Sequence, residues 1–245
     1  MDARIQEIFS SIQGEGIYLG VRQIFLRFWQ CNLRCTYCDT GETLHHPPDS
    51  FFVQRAPGSK SFISYENPIS PRDLLLIIKG LHPARHHSLS ITGGEPLLQE
   101  QFLREFLALF QGLCPVFLET NGTLCEALER VLPFLAIISM DMKLPSAAGV
   151  DLWRQHEDFL RIAHAKEVYV KVVITADTGE EEIDKVVQII QKVDRSIPLV
   201  LQPVTPVGKV KEIPPEKVIA LQDRCGLRLS YVRVIPQVHK LINQL

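Results

Sequence analysis

Seven short apolar runs, separated by helical patterns, constrain this chain more than any other feature. The runs at 22–29, 88–91, 115–119, 136–141, 168–174, 198–202 and 228–234 are rich in β-branched or aromatic residues and bounded by polar ones, which predicts strands. Helical patterns lie at 99–111, 124–132, 179–193 and 214–224. Another helix starts at Ser70-Pro71, where serine can cap free amides and proline suits the first helical position. Strand and helix in alternation predict an α/β fold: a largely parallel sheet with crossover helices. About six such units make an incomplete, TIM-like barrel rather than a closed eightfold one. At 245 residues, the chain 1–245 is expected to form a single domain.

Ligands in such folds collect at the carboxyl ends of the strands, and the unusual residues fall there. Cys31 follows the first run, and Thr92-Gly93-Gly94-Glu95 the second. Thr120-Asn121-Gly122 follows the third, Ser139 to Asp141 closes the fourth, and Gln202-Pro203 closes a later one. Residues 42–71, rich in Pro, Ser and His, read as an insertion or long loop near the mouth of this site.

Composition removes several classes. Hydrophobic residues make up 46% of the chain, too many for a disordered one. A net charge of −2 without a basic block argues against wholesale nucleic-acid binding. The apolar stretches at 74–78 and 134–138 are too short to span a bilayer, so no membrane partner is expected. The opening MDARIQEIFS lacks a positive segment followed by an apolar core, and a cytoplasmic location is expected. Six cysteines there are not a disulfide framework, and Cys114, Cys125 and Cys225 read as buried small hydrophobes.

The other three cysteines lie close together: Cys31-x3-Cys35-x2-Cys38. Thiolates are soft ligands that favour zinc and iron–sulfur clusters. Three thiolates on a cubane leave one iron free for a small molecule, such as the amino and carboxylate groups of S-adenosylmethionine (SAM). A zinc site would need a fourth ligand, which His45 or His46 could supply.

The cysteine spacing, with Tyr37 before the last cysteine, resembles the cluster motif of the radical SAM superfamily. Thr92-Gly93-Gly94-Glu95-Pro96 resembles that superfamily's glycine-rich second motif, whose backbone receives the SAM amino group. Ser11-Ile12-Gln13-Gly14-Glu15-Gly16, Arg27, Cys38-Asp39-Thr40, Thr92 and Arg233-Val234-Ile235-Pro236-Gln237-x-His239-Lys240 narrow the resemblance. Together, over about residues 5–240, they are similar to the 7-carboxy-7-deazaguanine synthase family.

That resemblance implies conversion of 6-carboxy-5,6,7,8-tetrahydropterin into 7-carboxy-7-deazaguanine with release of ammonia, a step toward queuosine. It implies a 4Fe–4S cluster on Cys31, Cys35 and Cys38, with SAM and Mg2+ as further cofactors. A flavodoxin or ferredoxin is expected as electron donor, and a homodimer as the assembly. On the substrate side the resemblance places Ile12, Gln13, Gly14, Glu15 and Gly16. Glu15 would accept from pterin N–H groups and Arg27 would fork onto the carboxylate. Thr92 and His239 complete that side. On the SAM side it places Tyr37, Cys38, Asp39, Gly94 and Glu95, then Ser139, Met140 and Asp141 from the fourth run. Thr40 would offer a hydroxyl to Mg2+. Lys143, Lys171 and Gln202 are weaker SAM-side candidates. Two other readings stand beside this one: a glycyl-radical-enzyme activase and a zinc-stabilised binding module.

Overall fold

The computed structural model describes residues 1–39, 41, 46–206, 208 and 210–244. It begins with β1 (Ile5–Ile12) and β2 (Arg22–Phe28), an antiparallel pair. The hairpin β3 (Ser50–Gln54) and β4 (Phe62–Glu66) follows, then α1 (Pro71–Gly80). The repeating part continues with β5 (Ser88–Gly93), α2 (Glu100–Phe110), β6 (Val116–Thr120) and α3 (Cys125–Val131). After β7 (Ile137–Asp141) come α4 (Pro145–Ala148), α5 (Trp153–Ala163), β8 (Glu167–Ile174) and α6 (Glu180–Val193). The last elements are β9 (Leu199–Pro203), α7 (Pro215–Gly226), β10 (Val232–Val234) and α8 (Val238–Leu241).

Among the described residues, ten strands join one open sheet in the order β10-β9-β8-β7-β6-β5-β2-β1-β3-β4. From β2 to β10 every neighbouring pair is parallel, which makes seven parallel strands where about six are predicted. The sheet is mixed only at its β1–β3–β4 end. Among the described residues no helix is long and apolar enough to cross a membrane.

In the segment 42–71, read as an insertion or long loop, the described residues 46–71 include the strands β3 and β4. Phe51 and Val53 alternate inward and are buried, so this stretch adds a hairpin whose β3 runs parallel to β1. The Asn67 side chain ties it to the sheet, accepting from Ile5 N at 3.0 Å and donating to Ile5 O at 2.8 Å. α5 was also not predicted; it buries His156, Phe159, Leu160 and Ala163 at helical spacing.

Strand alternation sorts the side chains into two sets. Ile24, Leu26, Leu89, Ile91, Leu118, Ile138, Val170, Val172 and Leu201 pack against the helices in one extended core. Within it Phe102, Phe106 and Phe110 stack along one stripe of α2. Each such ring contributes about 1.5–3 kcal/mol by leaving water. The opposite face starts with an apolar floor of Phe117, Ile137, Tyr169, Val200 and Ile235, capped by Ile17 and Tyr18. Above that floor the inward positions turn polar, which a parallel strand covered by helices does not need for packing alone.

Candidate active site

The polar inward positions surround a cavity of about 550 Å3, within the usual range for a ligand site. Its mouth carries Cys31, Cys35 and Cys38, all half-buried. The cysteine loop is held by Thr36 N donating to Ala147 O at 3.0 Å and Cys38 N donating to Cys35 O at 3.2 Å. Tyr37 packs with Ala147, Val173 and Val204 above the cavity, and the Lys143 ammonium lies 5.2 Å from its ring centroid.

The glycine-rich turn seats directly against this loop. Gly94 N donates to Phe28 O at 3.3 Å and Glu95 N to Gln30 O at 2.8 Å. A Cβ on Gly94 would run into the Gln30 carbonyl and lie 2.7 Å from the Cys31 Cβ. Gln30 itself sits at φ 82, a left-handed conformation rare for a residue with a side chain.

This arrangement fits a cluster held at three corners. Burial pushes the Cys31 and Cys35 thiols above their ordinary range, so bare thiolates are disfavoured there and a positive metal group would stabilise them. Among the described residues no three His, Cys, Asp or Glu side chains converge enough to hold one ion. Thr40 and His45 lie outside the described residues.

Beneath the mouth runs a chain of alternating charges. Asp141 and Lys171 are direct register partners across β7 and β8. Lys171 Nζ lies 3.1 Å from Asp141 Oδ2 and 2.5 Å from Glu15 Oε2, while Lys143 Nζ lies 2.9 Å from Asp141 Oδ2. Burial opposes ionisation of Glu15, but the Lys171 ammonium and the bonds from Lys171 and Gln237 outweigh it, and its pKa falls below the usual value. Burial likewise opposes Asp141, and Lys143 and then Lys171 overcome it. Desolvation alone would lower the Lys171 pKa, but Asp141 and Glu15 raise it well above normal. Asp141 Oδ1 and Gln202 Oε1 are buried without a hydrogen-bond partner among the described residues. Both residues line the cavity and leave acceptors for a polar ligand such as ribose.

The loop after β1 closes the lower side. Gln13 Nε2 donates to Gln23 Oε1 and Glu119 Oε1, both at 2.9 Å, and Gln13 Oε1 accepts from Glu15 N at 3.0 Å. Glu15 Oε1 accepts from Gln237 at 2.7 Å, so both its oxygens already hold a partner. The His239 ring lies against Gly14, where there is no room for a methyl group. Arg27 Nε donates to Glu7 Oε1 at 2.8 Å on the adjacent strand.

Most of the predicted positions line this one cavity: Ile12, Gln13, Gly14, Glu15, Arg27, Thr92, His239, Tyr37, Asp39, Gly94, Ser139 and Asp141. The weaker candidates Lys143, Lys171 and Gln202 line it too. Three predicted positions turn elsewhere. Strand alternation sends the Met140 side chain into the helix-side core. Gly16, at φ 67, makes a turn against Tyr169 beneath the cavity. Glu95 is fully buried and accepts from Leu97 N, Thr120 Oγ1 and Asn121 N. It brackets two strand ends, and burial raises its pKa to about 7 despite those bonds.

Glu119 is a cavity residue to which the sequence analysis assigned no role. It gathers Gln13, Ser90 at 3.0 Å and Thr92 at 3.2 Å onto one carboxylate facing the cavity. The available signal was an acidic residue at an inward position ending the apolar run 115–119.

A seven-stranded parallel half-barrel with three cysteines at its mouth and a glycine turn against them defines a class. The family model described as the radical SAM superfamily matches residues 30–197, and the chain belongs to that superfamily. It is therefore an enzyme whose class uses a 4Fe–4S cluster and SAM. The 7-carboxy-7-deazaguanine synthase of Geobacter sulfurreducens is 42% identical over 99% of this chain and 98% of its own length. That of Methanothermobacter thermautotrophicus is 33% identical over 99% and 98%. Within the superfamily the chain thus belongs to the 7-carboxy-7-deazaguanine synthase family. In fold it is similar to the crystal structure of QueE from Escherichia coli, with TM-score 0.62, 20% identity and coverage of 97% of this chain and 94% of that one.

Proposed function

We propose that this enzyme converts 6-carboxy-5,6,7,8-tetrahydropterin into 7-carboxy-7-deazaguanine with loss of ammonia, in the route to queuosine and other 7-deazapurines. One observation carries the reading: a single cavity joins a three-cysteine mouth to a lower wall bearing Glu15, Glu119 and Arg27. A flat pterin edge presents N–H donors to such carboxylates, and its carboxylate suits a guanidinium.

Cys31, Cys35 and Cys38 would hold the 4Fe–4S cluster, which together with SAM supplies hydrogen-atom abstraction by a carbon radical. Asp141 Oδ1 and Ser139 offer acceptors to the ribose of SAM, and Gly94 allows its amino end a close backbone approach. Lys171 fixes Glu15 and Asp141 relative to each other, so the substrate wall and the SAM wall keep one spacing. The apolar floor of Phe117, Ile137 and Tyr169 excludes water from below.

The same proposal includes Mg2+ at Thr40 with the substrate carboxylate, a flavodoxin or ferredoxin as reductant, a homodimer, a single domain and a cytoplasmic location. The test is anaerobic reconstitution with iron and sulfide, then incubation with SAM, dithionite, Mg2+ and 6-carboxytetrahydropterin. Deazaguanine product detected by mass, and absent from a Cys35→Ala variant, is the expected result. Cleavage of SAM to 5′-deoxyadenosine without that product would overturn the substrate assignment while leaving the class intact.

A further inference from the structure

We propose that Glu7 is a positioning residue for carboxylate recognition: it holds Arg27 by one edge so that the guanidinium presents its other edge to the cavity. The inference rests on the reading of Arg27 as the partner of the substrate carboxylate.

The backbone brings this pair together by an irregularity. In the β1–β2 register Ile5 lies opposite Phe28 and Glu7 opposite Arg27, so β1 spends one extra residue, Gln6, where β2 spends none. Regular alternation would put Glu7 on the same face as Ile5, which is buried in the helix-side core. The bulge instead turns Glu7 to the cavity face, while Ile8 returns to the core. Bulges commonly re-aim a side chain beside an active site.

The contact geometry points the same way. Glu7 Oε1 takes Nε of Arg27 at 2.8 Å, and neither terminal guanidinium nitrogen bonds a described residue. A guanidinium is planar, so anchoring one edge fixes the direction of the others. Arg27 and Glu7 side chains keep 21% and 31% exposure, and a pair so open to water adds little to stability. Phe9 and Phe25, stacked at 5.1 Å, stand beside the pair in the cavity wall and limit where the arginine can swing.

Glu7 also carries a charge that repels an incoming carboxylate, so orientation and competition make opposite predictions. They separate in the ratio of dissociation constants for 6-carboxytetrahydropterin and the carboxylate-free 6-methyltetrahydropterin, measured anaerobically on reconstituted, SAM-loaded protein. Glu7→Ala is expected to reduce the preference for the carboxylated pterin by about tenfold, the size of one charge-assisted hydrogen bond. Glu7→Gln, which keeps an acceptor for Nε, is expected to restore most of it, and SAM affinity is expected to stay unchanged in both. Equal weakening of both pterins in Glu7→Ala would mean a merely structural role and overturn the proposal, as would tighter binding of the carboxylated one. Arg27→Met separates the two levels. If it leaves the preference intact, the reading of Arg27 falls and this inference with it. If it abolishes the preference while Glu7→Ala does not, Glu7 alone is excluded.

Discussion

Lys171 Nζ lies 2.5 Å from Glu15 Oε2, joining a strand in the middle of the parallel sheet to the loop after β1. The same ammonium reaches Asp141 on the next strand, so one buried cation serves two carboxylates. Replacing it with methionine leaves both acids in the wall with that partner gone. Removing one member of a buried ion pair costs about 3–5 kcal/mol. Lys171→Met is expected to lower the unfolding free energy of the cluster-free chain by that order, read from urea denaturation. A loss within experimental error would show that water already screens these charges.

Acid should weaken the fold through the same groups. Glu15 and Asp141 have folded pKa values below their ordinary 4.5 and 3.8. Their stabilisation is therefore complete above those values and is lost as pH falls through the lower folded ones. Lys171 is shifted upward from 10.5, so its contribution persists through neutral pH and fades only in strong alkali. Urea midpoints measured at about pH 6 and about pH 3 should show a drop, smaller in Lys171→Met because the shifts of both acids depend on that lysine.

Gly14 and His239 are expected to be coupled. A methyl on Gly14 would run into the His239 ring, and Val238 N donates to Gly14 O at 2.9 Å. Gly14→Ala is expected to cost about 1–3 kcal/mol as an overpacked contact. In a His239→Ala background the same change should cost clearly less, since the obstructing ring is gone. Thermal melts of the four proteins in that cycle give the coupling, and additive effects would contradict the close contact.

Gln30 offers the opposite case. At φ 82 a residue with a Cβ gives up about 1–2 kcal/mol, whereas glycine there forfeits about 0.5–1 kcal/mol of chain entropy. Gln30→Gly is expected to stabilise the chain by roughly 0.5–1 kcal/mol in urea unfolding. A destabilised variant would mean that the glutamine side chain holds the cysteine loop through contacts that outweigh its backbone strain.

The sequence showed the parallel strands because Ile, Val and Leu concentrate where helices cover both the strand and its neighbours. It showed the cysteine mouth because the three thiols sit within one loop. β1 was not legible: IQEIFSSI mixes polar with apolar residues, and the bulge at Gln6 breaks the alternation that marks a strand. The β3–β4 hairpin hid because its two short runs sit among Pro, Ser and His. α5 lacked a start signal, since its N-cap is Leu152 with no side-chain bond to a free amide. Glu119 was given no role because its meaning depends on partners far away in the chain, Gln13 above all.

The bond from Gln237 to Glu15 spans 222 residues of sequence. Such a contact cannot form before both of its residues have been synthesised. During synthesis the half-barrel can gather its strands one after another, but the lower wall of the chamber waits for residue 237 to leave the ribosome. Loading of the iron–sulfur centre before that moment would meet a basin still open on one side, so maturation of this enzyme is expected to follow translation and not accompany it.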